Sequence, residues 1–205
     1  MNNAHNIALQ NINQSILVTL ENYKFAGGGL LHRYNLHSAH LHWSQIDTEG
    51  SEHLLQGKAF PLEIDLVHVK AHHTKAKAKE IRDGFAVIAV MGVIQEDSAA
   101  ETATTSNFKR ALASVRKDRS RTQVNVTVRD LLPHNLRSFY RYDGSFTTPN
   151  CDESVIWTVL TEPITITRAL LTSLRELHGE DKMAVEQNAR PPQPLYGRAV
   201  SYQSA

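Results

Sequence analysis

The stretch Ser38-Ala39-His40-Leu41-His42-Trp43 is the most informative part of this chain. Side chains two residues apart on an extended strand lie on the same face, so His40 and His42 point the same way. The apolar residues beside them then occupy the opposite, packed face. Two imidazoles side by side on a strand provide half of a tetrahedral zinc site. Taken alone, this spacing is explained at least as well by a packed or surface pair.

The composition indicates a globular protein that can bury one sizeable core. The chain has 205 residues, of which 41% are hydrophobic and 21% charged, and its net charge is +1. That length is ordinary for one all-β domain. No apolar run approaches membrane-spanning length, and the polar N-terminus lacks the apolar core of a secretory signal. The single cysteine, Cys151, excludes an internal disulfide.

Short segments of alternating apolar and polar residues predict a mainly β fold. Helical patterns are confined to about residues 106–115 and 167–177, and Gly179 follows the second. Neither an internal repeat nor a break in composition marks a second domain, so we expect residues 1–205 to form one domain. The predicted strands are 15–20, 36–43, 62–69, 85–94, 123–128, 139–142 and 155–160, followed by an irregular tail over 190–205.

The basic run from Lys109 to Arg121 is the feature that suggests nucleic acid as a partner. No aromatic residue is interleaved with it, and Asp118 interrupts it. In a near-neutral protein, a solvated helix face with its following loop is the better interpretation. We therefore expect no nucleic-acid partner.

Several motifs accompany the two histidines in a fixed order along the chain. Together they resemble the α-class carbonic anhydrases over nearly the whole sequence. The resemblance implies a large, mostly antiparallel, twisted central sheet with a few short helices. It also implies zinc held by three histidines, and reversible hydration of CO2 to bicarbonate by a zinc-bound hydroxide. The motifs are 40–44 (HLHWS), 50–53 (GSEH), 60–68 (FPLEIDLVH), 142–149 (YDGSFTTP), 157–163 (WTVLTEP) and 190–198 (RPPQPLYGR).

By position, His40 and His42 match the first two zinc ligands of that family, and Asp65 stands where the third histidine belongs. Carboxylate oxygen is an accepted zinc ligand, so the predicted metal site is His40, His42 and Asp65. An anionic ligand neutralises part of the metal's charge and leaves its bound water less acidic, which predicts weakened activity near neutral pH. Glu63 shares the strand face of Asp65, so the carboxylates repel unless a cation or proton lies between them.

The resemblance also implies the remaining site residues. Thr147 matches the threonine that accepts a hydrogen bond from the zinc-bound hydroxide and donates one to a glutamate, here Glu52. Thr148 matches the second threonine of the pocket. Without the resemblance, the side chains that match the apolar wall around CO2 would be assigned to the core; they are Val67, Val87, Phe146, Val155 and Trp157.

Other positions depart from the family. Its proton-shuttling histidine falls near Gln14, and glutamine cannot carry a proton at neutral pH, which leaves His5 and His37 as alternatives. The chain matches the family from about residues 11–15 onward, so we expect an N-terminal segment of the family domain to be missing. Cys151 resembles the cysteine that pairs with an N-terminal one in secreted members. It indicates either an extracellular parent protein or a free thiol.

Two functions follow from these observations. The first is a zinc-dependent carbonic anhydrase with weakened activity, which the retained Glu52 and Thr147 favour. The second is a catalytically silent, metal-free module that binds a protein partner through the retained fold, which the changed ligand favours. A chain that folds poorly without the missing segment is a third expectation.

Overall fold

The computed structural model describes residues 7–12, 15–19, 23–95 and 102–205. Within these ranges the helices are α1 (Lys75–Lys79), α2 (Ala103–Ser114) and α3 (Arg168–Arg175), with a 3-10 helix at Val128–Leu131. The strands are β1 (Ile7–Asn11), β2 (Ile16–Thr19), β3 (Lys24–Phe25), β4 (Tyr34–Trp43), β5 (Leu62–Lys70), β6 (Phe85–Ile94), β7 (Arg121–Val124), β8 (Phe139–Gly144), β9 (Val155–Leu160), β10 (Ile164–Ile166) and β11 (Ser201–Gln203).

These strands form one sheet in the order β11-β8-β9-β6-β5-β4-β2-β1-β7, with β10 beside β6 and β3 beside β4. All neighbours pair antiparallel except β6, which is parallel to β9 and to β10. The predicted mainly β fold with a large, mostly antiparallel sheet and a few short helices is confirmed. None of the helices in the described ranges is long and apolar enough to cross a bilayer.

Two apolar clusters cover the two faces of the central strands. The larger one joins Ile64 and Leu66 of β5 to side chains of α2 and α3. The other contains Val67, Val87 and Trp157. Because side chains alternate along a strand, Glu63 and Asp65 share the face of Val67 and therefore of the second cluster. The middle of β5 is consequently buried on both sides, as its run of buried residues shows.

The structure extends or changes several predicted elements. Helix α2 begins three residues earlier than expected because the Thr102 side chain accepts a hydrogen bond from Thr105 N at 3.1 Å. The predicted strand over 123–128 is wrong beyond Val124, since the 3-10 helix begins at residue 128. The tail is not wholly irregular because it contains β11. That strand is exposed along its whole length, so no alternation marks it in the sequence.

Candidate metal centre

The register of β4 and β5 brings four titratable side chains together on one face of the sheet. His40 lies directly opposite Asp65, and His42 lies opposite Glu63. Directly opposed residues in an antiparallel pair point to the same face, with Cβ atoms about 5 Å apart. The same-face arrangement of the two histidines follows from the strand alternation predicted above. The floor of the site is therefore built from the central strand β5 and its antiparallel neighbour β4.

His42, Glu52 and Asp65 form a buried group of potential metal ligands. Each can offer one atom such that all three atoms lie within 4.8 Å of one another. His42 Nε2 is 3.4 Å from Asp65 Oδ2, and His42 Nδ1 is 3.4 Å from Glu52 Oε1. Two ligand atoms each about 2.1 Å from a tetrahedral zinc ion lie about 3.4 Å apart. The His42–Asp65 spacing therefore fits a shared zinc ion.

Buried atoms without partners also indicate that this group is built for a ligand. In the part of the chain that the structure describes, His42 Nδ1, Glu52 Oε2 and Asp65 Oδ1 are buried and make no hydrogen bond. A buried polar group left unpaired costs about 1–3 kcal/mol, and a charged one costs more. A divalent cation satisfies carboxylate oxygens and an imidazole nitrogen at once. The residues present thus fit a metal ion.

The electrostatics of the group favour positive charge between its carboxylates. Burial opposes the charge on His42, but the hydrogen bond to Asp65 and the nearby carboxylates raise its pKa to about 9. Burial, and then the charge of Glu63, raise the pKa of Asp65 well above the usual range of an aspartate. Without a metal, the group therefore retains protons near neutral pH that a bound cation would displace.

His40 is oriented differently from His42. Its Nε2 atom lies 3.2 Å from Ser38 Oγ, and His40 does not belong to the group of ligand atoms within 4.8 Å of one another. Burial, and after it the charges of neighbouring basic side chains, lower the pKa of His40 to about 4. Its ring is thus neutral at pH 7, the form in which an imidazole binds a metal.

Glu63 is fully occupied by a hydrogen-bonded network that the sequence analysis had not assigned. Its Oε2 accepts from Glu52 N at 2.8 Å and His53 N at 2.9 Å, and its Oε1 lies 2.6 Å from His53 Nδ1. His53 Nε2 in turn lies 2.6 Å from the Tyr142 hydroxyl. His53 and Tyr142 both belong to motifs quoted above, and His53 directly follows Glu52. These positions are the sequence signal for the network.

The network also explains how Glu63 and Asp65 share a face. Burial opposes ionisation of Glu63, but the charge of His53 and its hydrogen bonds lower the pKa of Glu63 to about 2. Glu63 therefore stays ionised, while Asp65 beside it is pushed toward its neutral form. A proton on Asp65 thus removes the expected repulsion between Asp65 and Glu63, and a cation could take the place of that proton.

Glu52 and Thr147 line one cavity of about 1260 Å³, but no hydrogen bond joins them among the described residues. Glu52 Oε1 accepts from Arg190 N at 2.8 Å, and its Oε2 has no partner. Of the three grouped residues, Glu52 is the one that lines this cavity. The cavity therefore reaches the candidate metal centre from the side of Glu52.

The residues matched to the apolar wall lie together. Register places Val67 opposite Val87, and Val87 opposite Trp157, all on the face of Asp65. Val155 belongs to the same cluster, and Phe146 packs against it with its ring 4.8 Å from that of Phe85. The carbonyl of Thr148 accepts from Cys151 N at 2.8 Å. An apolar surface thus adjoins the buried carboxylate of Asp65.

The remaining candidates either fall outside the described residues or do not belong to the buried group of potential ligands. Gln14 and His5 fall outside them, so the shuttle position stays a prediction. His37 is half-buried, and its Nε2 accepts a hydrogen bond from Lys75 Nζ at 2.9 Å. Cys151 is a half-buried free thiol. In the basic run, Arg116 pairs with Glu176 and Arg119 with Glu180.

Comparison with known proteins agrees with this geometry. The family model described as "Eukaryotic-type carbonic anhydrase" matches residues 1–204. The chain is 42% identical over 177 residues to "Putative carbonic anhydrase 5" of Caenorhabditis elegans, covering 86% of the chain and 56% of that protein. It is 38% identical over 183 residues to carbonic anhydrase 4 of Mus musculus, covering 85% of the chain and 57% of that protein.

The chain thus spans little more than half the length of these two relatives. The match nevertheless extends over nearly the whole of the chain itself. The fold, the paired strands that carry His40, His42 and Asp65, and these matches support one conclusion: the chain belongs to the eukaryotic-type, or α-class, carbonic anhydrase family.

Proposed function

We propose that this chain is a zinc-dependent carbonic anhydrase, a lyase that reversibly hydrates CO2 to bicarbonate with weakened activity near neutral pH. The observation that carries the proposal is the His42–Asp65 pair. Its Nε2 and Oδ2 atoms lie 3.4 Å apart, the spacing expected of two ligands of one zinc ion. The buried and unpartnered Oδ1 atom of Asp65 supports the same assignment.

The residues that would hold zinc are His40, His42 and Asp65. The neutral ring of His40 lies opposite Asp65 in the strand register, which supports its inclusion. When bound, zinc makes a water molecule acidic enough to serve as a nucleophile near neutral pH. The carboxylate of Asp65 offsets part of the metal charge, which is the physical reason to expect weakened activity.

The other residues position the reactants. Thr147 and Glu52 line the same cavity, and together they would orient the attacking water through the Thr147 hydroxyl. The apolar face would exclude water and receive CO2 next to Thr148. It consists of Val67, Val87, Phe146, Val155 and Trp157.

A second candidate function is a catalytically silent module that binds a protein partner. The observation that favours it is His40, whose ring nitrogen lies beside Ser38 Oγ and outside the buried group of ligands. The missing hydrogen bond between Glu52 and Thr147 agrees with it.

Zinc analysis combined with a CO2 hydration assay separates the two functions. Protein purified with zinc present should hold about one zinc ion per chain and show inhibitor-sensitive hydration. Asp65→Ala should lose both the zinc ion and the hydration activity. Asp65→His should bind zinc tightly and hydrate CO2 faster at neutral pH than the unchanged protein. Stoichiometric zinc without any inhibitor-sensitive hydration would exclude the carbonic anhydrase. Activity that persists in Asp65→Ala would exclude Asp65 as a ligand.

A further inference from the structure

An asparagine in the segment after β7 has the sequence and the surroundings of an attachment site for an N-linked glycan. The stretch Asn125-Val126-Thr127 matches the acceptor pattern, in which Asn is followed by any residue except Pro and then by Ser or Thr. The pattern recurs at Asn13-Gln14-Ser15, whose first two residues lie outside the described ranges. Because a three-residue pattern is short, the structure around Asn125 decides whether the position can carry a glycan.

The backbone around Asn125 directs its side chain to solvent. The flanking residues Val124 and Val126 are 4% and 2% exposed, and both belong to the larger apolar cluster. Asn125 between them is exposed, which is the alternation of an extended segment. Its carbonyl accepts a hydrogen bond from Asn107 Nδ2 at 3.3 Å, while its own carboxamide bonds to no described residue. The two valines thus anchor the segment and leave the Asn125 carboxamide accessible.

Asn125 also lies at an edge of the sheet that is remote from the candidate metal centre. It directly follows β7, the last strand in the sheet order, which pairs with β1. Four strand spacings separate β7 from β5, a distance of about 19 Å. Residues 121–127 do not line the cavity beside Glu52. A glycan on Asn125 would leave that cavity open and cover an edge strand, the part of a sheet that natural proteins protect from pairing with other chains.

We propose that Asn125 accepts an N-linked glycan when the chain passes through the secretory pathway. The donor is an oligosaccharide joined through a diphosphate to a lipid. A bond forms between Asn125 Nδ2 and the anomeric carbon of the first sugar, and the bond from that carbon to the phosphate oxygen breaks. The lipid diphosphate leaves with the electron pair of the broken bond, and Nδ2 gives up one proton to solvent. The product is a bulky, solvated surface group.

The contacts of Thr127 indicate when the transfer takes place. In the folded chain its hydroxyl donates to Asp130 Oδ2 at 2.8 Å, next to the 3-10 helix. We therefore expect transfer before this helix forms, after which the exposed position of Asn125 accommodates the glycan without displacing the core. Such an acceptor agrees with the extracellular alternative for Cys151, and it does not depend on whether the chain binds zinc.

The test expresses the chain in insect cells behind a cleavable secretory leader, with Asn13→Gln to remove the other pattern. Peptide mass spectrometry of cell and medium protein, before and after a glycan-releasing amidase, detects the modification. We expect a glycan on the peptide that contains Asn125, and its release should leave Asp at this position. Asn125→Gln and Thr127→Ala should each abolish the signal, whereas Thr127→Ser should keep it because serine retains the hydroxyl.

The matched control is Asn35→Gln, which changes an exposed asparagine outside the pattern and should leave the glycan in place. Removal of the leader shows which chains have entered the secretory pathway, whether or not they are exported. An unmodified Asn125 in those chains overturns the inference. A modification that persists in Thr127→Ala overturns it as well, because attachment would then not depend on the acceptor pattern. Neither result bears on the proposed carbonic anhydrase activity.

Discussion

Glu63 and Asp65 lie two residues apart on one face of β5, both are buried, and the structure treats them in opposite ways. Glu63 accepts hydrogen bonds from two backbone N–H groups and from His53. Asp65 has one oxygen beside His42 and one without a partner. The pKa of Glu63 is lowered to about 2, and that of Asp65 is raised. One carboxylate is therefore part of the scaffold, and the other keeps an oxygen that no described residue satisfies.

This contrast assigns stability to Glu63 and ligand binding to Asp65, although the two residues are close neighbours on one strand. A carboxylate that the protein satisfies holds the loop of Glu52 and His53 against β5. A carboxylate that the protein leaves unsatisfied costs stability unless a proton or a cation accompanies it. Substitutions on the two sides should therefore have different consequences, and the following measurements test that difference from the largest effect to the smallest.

Replacing Glu63 should have the largest effect on folding. Glu63→Ala leaves three donors unpaired, two of them on the backbone, so we expect a loss of about 3–5 kcal/mol in the free energy of unfolding. Urea denaturation of the metal-free protein measures it. Asp65→Ala, on the same strand face, should change that free energy by less than about 1 kcal/mol. Equal losses in the two variants would abolish the distinction.

In the stabilisation that added zinc provides, Asp65 should matter more than Glu63. At a zinc concentration about 100 times the dissociation constant, the native state gains about 2.7 kcal/mol, which appears as a higher melting temperature. Asp65→Ala should show almost none of this gain, and a chelator should remove it from the unchanged protein. A zinc-induced rise of equal size in Asp65→Ala would show that the metal binds elsewhere.

The far end of the network should contribute less. Tyr142→Phe removes the hydroxyl that lies 2.6 Å from His53 Nε2, which should lower the free energy of unfolding by about 1 kcal/mol. The zinc-induced rise in melting temperature should be unchanged, because Tyr142 contacts the scaffold carboxylate only through His53. A loss of zinc binding in this variant would show that the network of Glu63 and the metal site of Asp65 are not independent.

An ion pair away from both carboxylates provides the smallest effect and a pH reference. Burial by itself would raise the pKa of Asp83. Lys70, whose Nζ lies 2.8 Å from Asp83, outweighs this effect, and the pKa of Asp83 is lowered. A lowered carboxyl pKa stabilises the fold above the ordinary value of about 3.9, and the gain is lost as pH falls through the lowered value.

Lys70→Met should therefore reduce the free energy of unfolding by less than about 1 kcal/mol at pH 6. The difference from the unchanged protein should shrink as the pH falls from 6 toward 2 through the lowered pKa of Asp83. Urea denaturation at the two pH values measures it. A difference that is the same at both would mean that packing of the Lys70 stem, and not its charge, stabilises the fold.

Much of the central sheet could be predicted because its strands obey simple alternation. The strands β5, β6 and β9 agree closely with the predicted segments, and β4 begins only two residues before its prediction. The exposed β11 could not be predicted, since a strand that buries no side chain shows no alternation of apolar and polar residues. The strand predicted over 123–128 was cut short by local hydrogen bonds of Asp130 with Thr127, which favour a turn of 3-10 helix.

The site was predictable where it depends on strand geometry and not where it depends on loops. Period-two alternation places His40 and His42 on one face, and the resemblance identified Asp65 as their companion. The approach of Glu52 to His42 depends on how the loop before β5 returns to the sheet. Its anchor at Arg190 N lies 138 residues further along the chain. Such long-range contacts leave no periodic signal.

The central position of β5 has a consequence for metal exchange. This strand is flanked by β4 and β6 and covered by apolar clusters on both faces. Its amide protons around Asp65 should be among the slowest to exchange with solvent, because buried central strands open at the highest free energies. An ion held there could not escape by fraying of the strand. Dissociation would proceed through the cavity beside Glu52, or wait for global unfolding.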